Sequence, residues 1–286
     1  LPLIAGLLVF VYRYLDGEWQ NDERTPFDWV GAGLFIIFAT GLVYGLSELP
    51  SLLGWVLLTG SVISLIGFIM HQRYIDAPLI RVQMFSESRV FSLSLSTALL
   101  MYGSNFAIVF LLSLYLQFIR GFDPAQTGQI LLLQALCMAI IAPFAGKLAD
   151  RFEPRIVATV GCMIVAAGFI SLVQIDLATS AMHIGAALAL IGVGFGLFST
   201  PNNSAIMGAV KTQEVGLASA SMNLARTIGN LIGMSLVNLM IHYYIGDASF
   251  SAQTNDELMQ TISLALFMSL SFVLVACVLS SLRGKQ

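Results

Sequence analysis

Long runs of apolar residues dominate the chain, and short polar segments separate them. Eight of these runs approach or exceed the length of about 20 residues that a helix needs to cross the hydrocarbon core of a bilayer. They cover residues 28–47, 52–71, 90–118, 125–146, 156–175, 182–206, 216–243 and 259–282. Because backbone groups in lipid must pair within their own segment, each run predicts a transmembrane helix. We therefore expect an all-α polytopic membrane protein.

The amino-acid composition supports a membrane protein and indicates which partners and sites to expect. Hydrophobic residues make up 57% of the chain and charged residues 10%, whereas about a quarter of a soluble domain is charged. No basic stripe or basic tail is present, so we expect no nucleic-acid partner. Cys137, Cys162 and Cys277 each lie inside an apolar run and are interpreted as small packing residues. The three histidines are far apart, and we expect neither a metal site nor a cofactor.

Lysine and arginine set the orientation, because they concentrate in cytoplasmic loops. When the loops are assigned to alternate sides, one set holds eleven of these residues, the other holds only Arg120, and Arg226 remains inside a span. The larger set is Arg13, Arg24, Arg73, Arg81, Arg89, Lys147, Arg151, Arg155, Lys211, Arg283 and Lys285. We therefore expect that side and the C-terminus to lie in the cytoplasm, and the protein to be a multi-pass protein of the cell (inner) membrane.

The first apolar run, at the start of the chain, is too short to cross the membrane as a helix. It covers about 12 residues, or roughly 18 Å of helix at 1.5 Å per residue, and it lacks the basic start of a signal peptide. We expect residues 1–15 to be the end of a truncated transmembrane helix, 16–27 a cytoplasmic linker, 28–71 a two-helix transmembrane hairpin and 72–89 a second cytoplasmic linker.

The segment GKLADRFEPR, residues 146–155, holds three basic and two acidic residues between two apolar runs. It predicts a short cytoplasmic turn in which Pro154 opens the next helix and Asp150 accepts N–H groups at a helix N-terminus. An ordinary topogenic loop accounts for these charges equally well. The order Gly146, Asp150, Arg151 and Arg155, however, resembles the loop motif G-x-x-x-D-R-x-G-R-R of the major facilitator superfamily. Glu153 and Pro154 depart from that motif.

The resemblance implies a layout for the whole chain. In that family the motif joins the second and third helices of each six-helix half, and here it joins the second and third of the six spans that follow residue 90. Residues 90–286 thus look like a C-terminal six-helix transporter half. The hairpin 28–71 looks like the extra helix pair of the fourteen-span drug:proton antiporters, and residues 1–15 like the end of the preceding span.

Arg226 is the one full charge well inside a predicted span, where its insertion costs about 2.5–3.5 kcal/mol. Asn223, Arg226 and Asn230 share one helical face, which predicts a polar interior. Ser221, Ala225, Gly229 and Gly233 form a neighbouring stripe of small residues suited to close helix packing. The alternative for Arg226 is a purely structural tie to backbone carbonyls.

The family layout implies that the first, second, fourth and fifth spans of the half face a central substrate cavity. The polar and aromatic candidates there are Tyr102, Asn105, Gln134, Phe198, Asn202, Asn223, Arg226 and Asn230. The glycines at 192, 194 and 196 serve either close packing or bending, and Pro201 with Asn202 suggests a broken helix end. For any single aromatic residue, simple core or lipid contact is the alternative.

These features predict part of a secondary active transporter, not an enzyme. The resemblance implies proton-coupled efflux of hydrophobic or cationic drugs by alternating access, with a small-molecule substrate, protons and the lipid bilayer as partners. All sixteen acids lie in loops or at span ends, so the coupling acids are expected in the N-terminal half. The alternatives are a transporter of one metabolite in the same superfamily and a polytopic membrane enzyme or scaffold, although no catalytic set is visible.

The charge asymmetry generates a topology prediction. Reporter fusions at Glu153 and at the C-terminus should both read cytoplasmic, whereas a fusion at Ala252 should read on the opposite side. Alkaline phosphatase and green fluorescent protein activities measure this directly. The same side for Ala252 and Glu153 would show that the assignment of spans is wrong.

Overall fold

A computed structural model describes residues 27–75, 78–246 and 255–284, together with Phe10 and Arg13. Within this part the chain is helical, without a strand, and eight of its helices are long and apolar enough to cross a membrane. The helices are α1 (Trp29–Ser47), α2 (Leu52–Tyr74), α3 (Gln83–Glu87), α4 (Arg89–Leu114), α5 (Pro124–Arg151), α6 (Pro154–Val173), α7 (Ala181–Gly208), α8 (Val215–Tyr244) and α9 (Asn255–Leu282). A π-helical turn, Tyr115–Ile119, extends α4. The predicted all-α polytopic fold is confirmed; segments 1–15 and 16–27 lie largely outside the described residues.

Short polar side chains start most of these helices. Ser51, Ser88 and Ser180 each accept a hydrogen bond from the backbone N–H three residues later. Asp123 forms a reciprocal capping box with Gln126, and Pro124 follows it at the first helical position. Because the first N–H groups of a helix have no partner within it, these caps satisfy donors that would otherwise be desolvated at the membrane surface.

The six helices after residue 88 pack as a bundle in which α4 and α7 are central. α4 packs along α8 and α9, whereas α7 packs along α5 and α6, and α6 also contacts α9. The buried core lies between them and includes Met101, Leu111, Phe169, Ile191 and Phe195. α1 and α2 pack along each other as a helical hairpin, and α1 contacts the bundle at α8.

Glycines allow the closest of these helix contacts. A Cβ atom on Gly233 would overlap the carbonyl oxygen of Gly103, and one on Gly229 would overlap that of Leu99. Between α6 and α7, a Cβ on Gly194 would lie 2.7 Å from the carbonyl oxygen of Gly161. The predicted small-residue stripe of α8 is therefore a helix interface, and the glycines of α7 serve close packing, as such residues do in membranes.

One end of the hairpin is held by Asp28, just before α1. Its carboxylate accepts hydrogen bonds from the backbone N–H of Gly31 (2.8 Å) and the side chain of Gln72 (2.6 Å), and lies 2.9 Å from His71 Nε2. Burial raises the pKa of Asp28, but these hydrogen bonds and the charge of His71 outweigh it and hold the pKa below its usual value. The two hairpin helices are thus joined at the membrane surface.

Two local expectations were wrong. The segment 146–155 is not a turn throughout, because α5 continues to Arg151 and only Phe152 and Glu153 separate it from α6. Asp150 therefore belongs to the last turn of α5, and Glu153, not Asp150, occupies the N-cap position of α6. α7 likewise runs unbroken through Pro201, since tight packing on neighbouring helices keeps the chain helical past the lost hydrogen bond.

The antiparallel helices α6 and α9 meet in a defined register. Thr159 Oγ1 lies 2.8 Å from Ser280 Oγ, and three residues further along each helix Cys162 and Cys277 are neighbours. Cys162 is fully buried, whereas Cys277 is half-buried. This register brings together two cysteines that are 115 positions apart in the sequence.

This register predicts a specific crosslink. Oxidation of the purified protein with copper–phenanthroline should join Cys162 to Cys277, because a zero-length bond forms only between thiols that approach each other closely. Mass spectrometry of the digested protein measures the linked peptides. Cys137 on α5 is the internal control and should stay free, and Cys277→Ser should abolish the link. Formation of a Cys137 bridge instead would contradict the packing of α6 on α9.

Candidate functional site

The polar residues of the four predicted cavity helices meet at one turn of α4. Tyr102 contacts α7 through Phe195 and α8 through Arg226, and Asn105, one turn later, contacts α5 through Gln134. Tyr102 lies 13 residues beyond the start of α4, or about 20 Å along its axis. The contact therefore lies near the middle of the predicted bilayer. We call these five residues the midplane cluster.

Arg226 lies over the face of the Tyr102 ring. Its Cζ atom is 4.6 Å from the ring centroid, which is the geometry of a cation–π interaction worth about 0.5–2 kcal/mol. The Nε atom of Arg226 is buried and has no hydrogen-bond partner among the described residues. No carboxylate of the described residues forms an ion pair with Arg226. Its charge is thus only partly compensated.

Aromatic side chains form the wall beside Tyr102. Phe195 meets the Tyr102 ring edge-on at a centroid distance of 5.2 Å, and Phe198 meets Phe195 at 5.8 Å. Phe198 is fully buried, so it supports Phe195 from behind within the helix bundle. Of the two, Phe195 is the ring in contact with the polar residues.

An amide pair completes the cluster. Gln134 of α5 donates a hydrogen bond from Nε2 to Oδ1 of Asn105 on α4. The other amide atom of Gln134, Oε1, is buried without a partner among the described residues. The cluster therefore presents one unpaired acceptor at Gln134 and one unpaired donor at Arg226, both of which are costly to leave unsatisfied away from water.

Asn223 and Asn230, the other two residues of the predicted polar stripe on α8, lie in different surroundings from Arg226. Asn230 is half-buried, and Asn223 is exposed and lines a groove of about 490 Å³ between the hairpin and α8. The groove is otherwise mainly apolar, with Phe35, Phe68, Leu217 and Leu224 among its lining residues. The predicted stripe of Asn223, Arg226 and Asn230 thus borders two environments, and Arg226 alone of the three makes a described contact with Tyr102.

A second polar centre lies around Arg283, at the end of the bundle where α9 ends. This side chain follows α9, is only 1% exposed and donates hydrogen bonds to Ser94 Oγ (3.0 Å), Asn202 Oδ1 (2.7 Å) and the carbonyl oxygen of Pro154 (3.3 Å). Asn202 Nδ2 in turn donates to the carbonyl oxygen of Ser94 at 3.3 Å. The network joins α4, α6, α7 and α9, and it places Asn202 away from the midplane cluster.

Burial lowers the pKa of Arg283 to about 10, and the nearby guanidinium of Arg155 acts in the same direction. Arg283 therefore stays charged at neutral pH while it is almost completely withdrawn from solvent. Sequence reasoning counted Arg283 only among the cytoplasmic arginines. Its position directly after an apolar run gives no sign that the side chain turns inward, so no sequence signal distinguishes it from Lys285.

The motif residues lie beside this network. Arg155 lies 3.6 Å from Glu153 and donates a 3.5 Å hydrogen bond to the carbonyl oxygen of Ser281. Gly146 is half-buried in α5 near Thr200 of α7, whereas Asp150 and Arg151 are exposed. The structure thus brings Arg155 and Arg283 together at the α6–α9 junction and leaves Asp150 facing outward from the bundle.

The network predicts a stability effect at Arg283. Arg283→Gln removes hydrogen bonds from a charged donor, each worth about 1.5–3 kcal/mol, and should lower the free energy of unfolding by at least one such amount. The thermal unfolding of the purified protein in detergent measures the loss. Arg73→Gln, at an exposed end of α2, is the matched control and should change little. An unchanged melting temperature for Arg283→Gln would contradict a structural role for this network.

No group of three or more His, Cys, Asp or Glu side chains in the described segments could hold a metal ion. The midplane cluster consists of one cation (Arg226), two amides (Asn105 and Gln134) and two aromatic rings (Tyr102 and Phe195). Such a set can bind an organic molecule by stacking, hydrogen bonding and charge.

Comparison with known proteins points to one family. The sequence profile of the Major Facilitator Superfamily matches residues 2–234. The chain is 31% identical over its full length to the uncharacterized transporter YebQ of Escherichia coli, of which it covers 60%. It is 28% identical to the multidrug resistance protein Stp of Mycobacterium tuberculosis, with 84% of this chain and 45% of that protein aligned.

A third relative has a more specific name. The riboflavin transporter RibZ of Clostridioides difficile is 24% identical over 80% of this chain and 50% of its own length. The chain thus spans about half the length of the curated relatives it matches. With the family profile matching most of the sequence and the transmembrane helices in place, the chain belongs to the Major Facilitator Superfamily of membrane transporters.

Proposed function

We propose that the chain is the C-terminal part of a secondary active transporter that exports hydrophobic or cationic compounds in exchange for protons. The observation that carries this proposal is the midplane cluster, in which four helices contribute polar and aromatic groups at one depth of the membrane. Polar groups within a bilayer are costly and typically mark a transport path. Alternating access, with this half rocking against a second half, would expose the cluster to each side in turn.

The proposed division of the chain follows the sequence. Residues 90–286 are taken as the six-helix half and 28–71 as an inserted hairpin, with residues 1–15 as the end of a preceding span. The packing of α4 to α9 as one bundle, with the hairpin contacting it at α8, supports this division. A hairpin between two halves favours the fourteen-span drug:proton antiporters, and the similarity to a multidrug resistance protein favours the same branch.

Proton coupling requires a titratable group in the pathway. Among the described residues the acids lie at helix ends or between helices, with Asp28 and Glu48 at the two ends of α1. We therefore propose that the coupling acids belong to the other half of the transporter. The proposed location is the inner membrane, with the C-terminus in the cytoplasm.

A transporter of one metabolite is the second candidate, favoured by the similarity to a riboflavin transporter. The two candidates differ in breadth of substrate. A polyspecific exporter relies mainly on apolar and aromatic surface, whereas a site for one metabolite pairs each polar group of its ligand. The unpaired atoms of Gln134 and Arg226 agree with either candidate, because each could bind a group of the substrate or of the other half.

An efflux assay tests the proposal. The complete protein is expressed in a bacterium that lacks its main exporters, and cells are loaded with ethidium or Hoechst 33342. Dye efflux should accelerate on energisation and stop when a protonophore collapses the proton gradient, whereas riboflavin should not compete. Efflux that ignores the proton gradient would refute the coupling, and selective transport of riboflavin would favour the second candidate.

The same efflux assay, carried out on the variant Asp150→Asn, tests the role of the loop motif. We propose that the exposed Asp150 carboxylate interacts with a helix N-terminus of the other half in one gate state, an interaction worth about 0.3–1 kcal/mol. Loss of that energy should slow efflux about two- to fivefold at matched expression. Asp256→Asn, at the exposed start of α9, is the control for the substitution itself. Undiminished efflux by Asp150→Asn would leave the segment as a topogenic signal only.

A further inference from the structure

We infer that Arg226 and Tyr102 form a subsite that binds a carboxylate group. The inference rests on the proposed transport function and specifies the chemistry of the same site. It starts from the charge of Arg226, which lies 11 residues beyond the start of α8 and thus about 16 Å along the helix axis. At this depth a guanidinium without an anion is expensive to maintain.

The geometry leaves part of the guanidinium edge without a hydrogen-bond partner among the described residues. Tyr102 covers one face of the group, with Cζ 4.6 Å from the ring centroid, and a ring below the plane does not use the N–H groups that lie in the plane. The Nε donor is buried without a hydrogen-bond partner among the described residues. A carboxylate is the anion that accepts two parallel hydrogen bonds from Nε and one terminal nitrogen, because its two oxygens match the spacing of the guanidinium fork.

Arg226, which is half-buried, differs in its partners from the fully buried Arg283. The two terminal nitrogens of Arg283 donate to two side-chain oxygens and one carbonyl oxygen on three neighbouring segments, so that only its Nε is left without a partner among the described residues. Arg226 has a tyrosine ring instead. A purely structural arginine would be expected to resemble Arg283, so the ring at Arg226 indicates a group held ready for an anion.

The surroundings define the rest of the ligand. Phe195 and Tyr102 present an aromatic corner beside the guanidinium, at a ring distance of 5.2 Å. Gln134 Oε1 is a buried acceptor without a partner among the described residues. Gln134 is hydrogen-bonded to Asn105, which lies one helical turn beyond Tyr102 on α4. An amphipathic carboxylate with an aromatic or apolar body would satisfy the charge and bury its body against the rings.

The carboxylate has two possible sources, which share this chemistry. It belongs either to an anionic substrate or to an Asp or Glu of the other half that faces Arg226 when the cavity is closed. In the second case the pair is neutral, and hydrophobic or cationic compounds can enter the cavity. The difference matters because an unpaired Arg226 would repel a cationic drug.

Thermal stabilisation of the purified complete transporter by two matched probes tests the inference. The probes are 1-naphthylacetate and its neutral amide, 1-naphthylacetamide, which differ in the carboxylate alone. Stabilisation by a ligand reports its affinity for the folded state. The variants are Arg226→Gln and Arg226→Lys, with Arg73→Gln as the control that removes a positive charge from an exposed surface.

A substrate carboxylate predicts that the wild type binds naphthylacetate about tenfold or more tightly than the amide, and that Arg226→Gln abolishes this preference. Arg226→Lys should keep part of it, since lysine keeps the charge but loses the fork and the stacking. Arg73→Gln should behave as the wild type.

A carboxylate of the other half predicts a different pattern. The wild type should not distinguish the two probes, and Arg226→Gln should lower the melting temperature because it leaves a buried acid unpaired. Replacing that acid by its amide, found by single Asp→Asn and Glu→Gln substitutions in the other half, should then restore the melting temperature.

Two results would overturn the inference. One is a carboxylate preference that survives in Arg226→Gln. The other is the absence of any preference together with a melting temperature that either does not fall in Arg226→Gln or is not restored by neutralising any acid of the other half. Neither result depends on dye efflux. The carboxylate subsite can therefore be refuted while the proposed transport function stands, and the reverse also holds.

Discussion

The close approach of α4 and α8 is the contact on which the rest of the bundle depends. Lipid gives helices no hydrophobic reason to associate, so they are held by packing at short range. Gly103 of α4 fits against Gly229 and Gly233 of α8, where any larger side chain would overlap a backbone carbonyl. This short distance brings Arg226 over Tyr102.

The same seam explains why a costly charge is tolerated near the middle of the membrane. Arg226 lies on α8 next to the stripe of small residues, so the packing that buries Gly229 also turns the guanidinium toward α4 and away from lipid. Arg283 is stabilised differently, by three oxygens at one end of the bundle. One bundle thus contains an arginine at one end whose terminal nitrogens are hydrogen-bonded to protein oxygens, and a half-buried arginine between two helices that stacks on a tyrosine ring. This division suits a rigid end and an open binding site.

For the segment 146–155, the turn predicted from the charges differs from the observed structure. Its charges predicted a cytoplasmic turn, and its residue order suggested a gating loop. In the folded chain most of it is the last turn and a half of α5, and the break is confined to Phe152 and Glu153 before Pro154. Arg155 contributes to the α6–α9 junction, while the exposed Asp150 has no described partner within this chain, which agrees with a role toward another half of the transporter.

The helices could be predicted from the amino-acid sequence, because span length and polarity are local properties that the bilayer imposes on each segment. The sequence also indicated the α8 packing stripe and the unusual Arg226, since both follow from helical periodicity. It could not show that Arg283 turns inward, that Asn202 serves that arginine, or that Cys162 meets Cys277. Those contacts join residues 81 to 189 positions apart, and they depend on which helix faces are pressed together. Only tertiary packing decides this, because apolar helices in lipid have similar hydrophobicity on every face and differ mainly in shape.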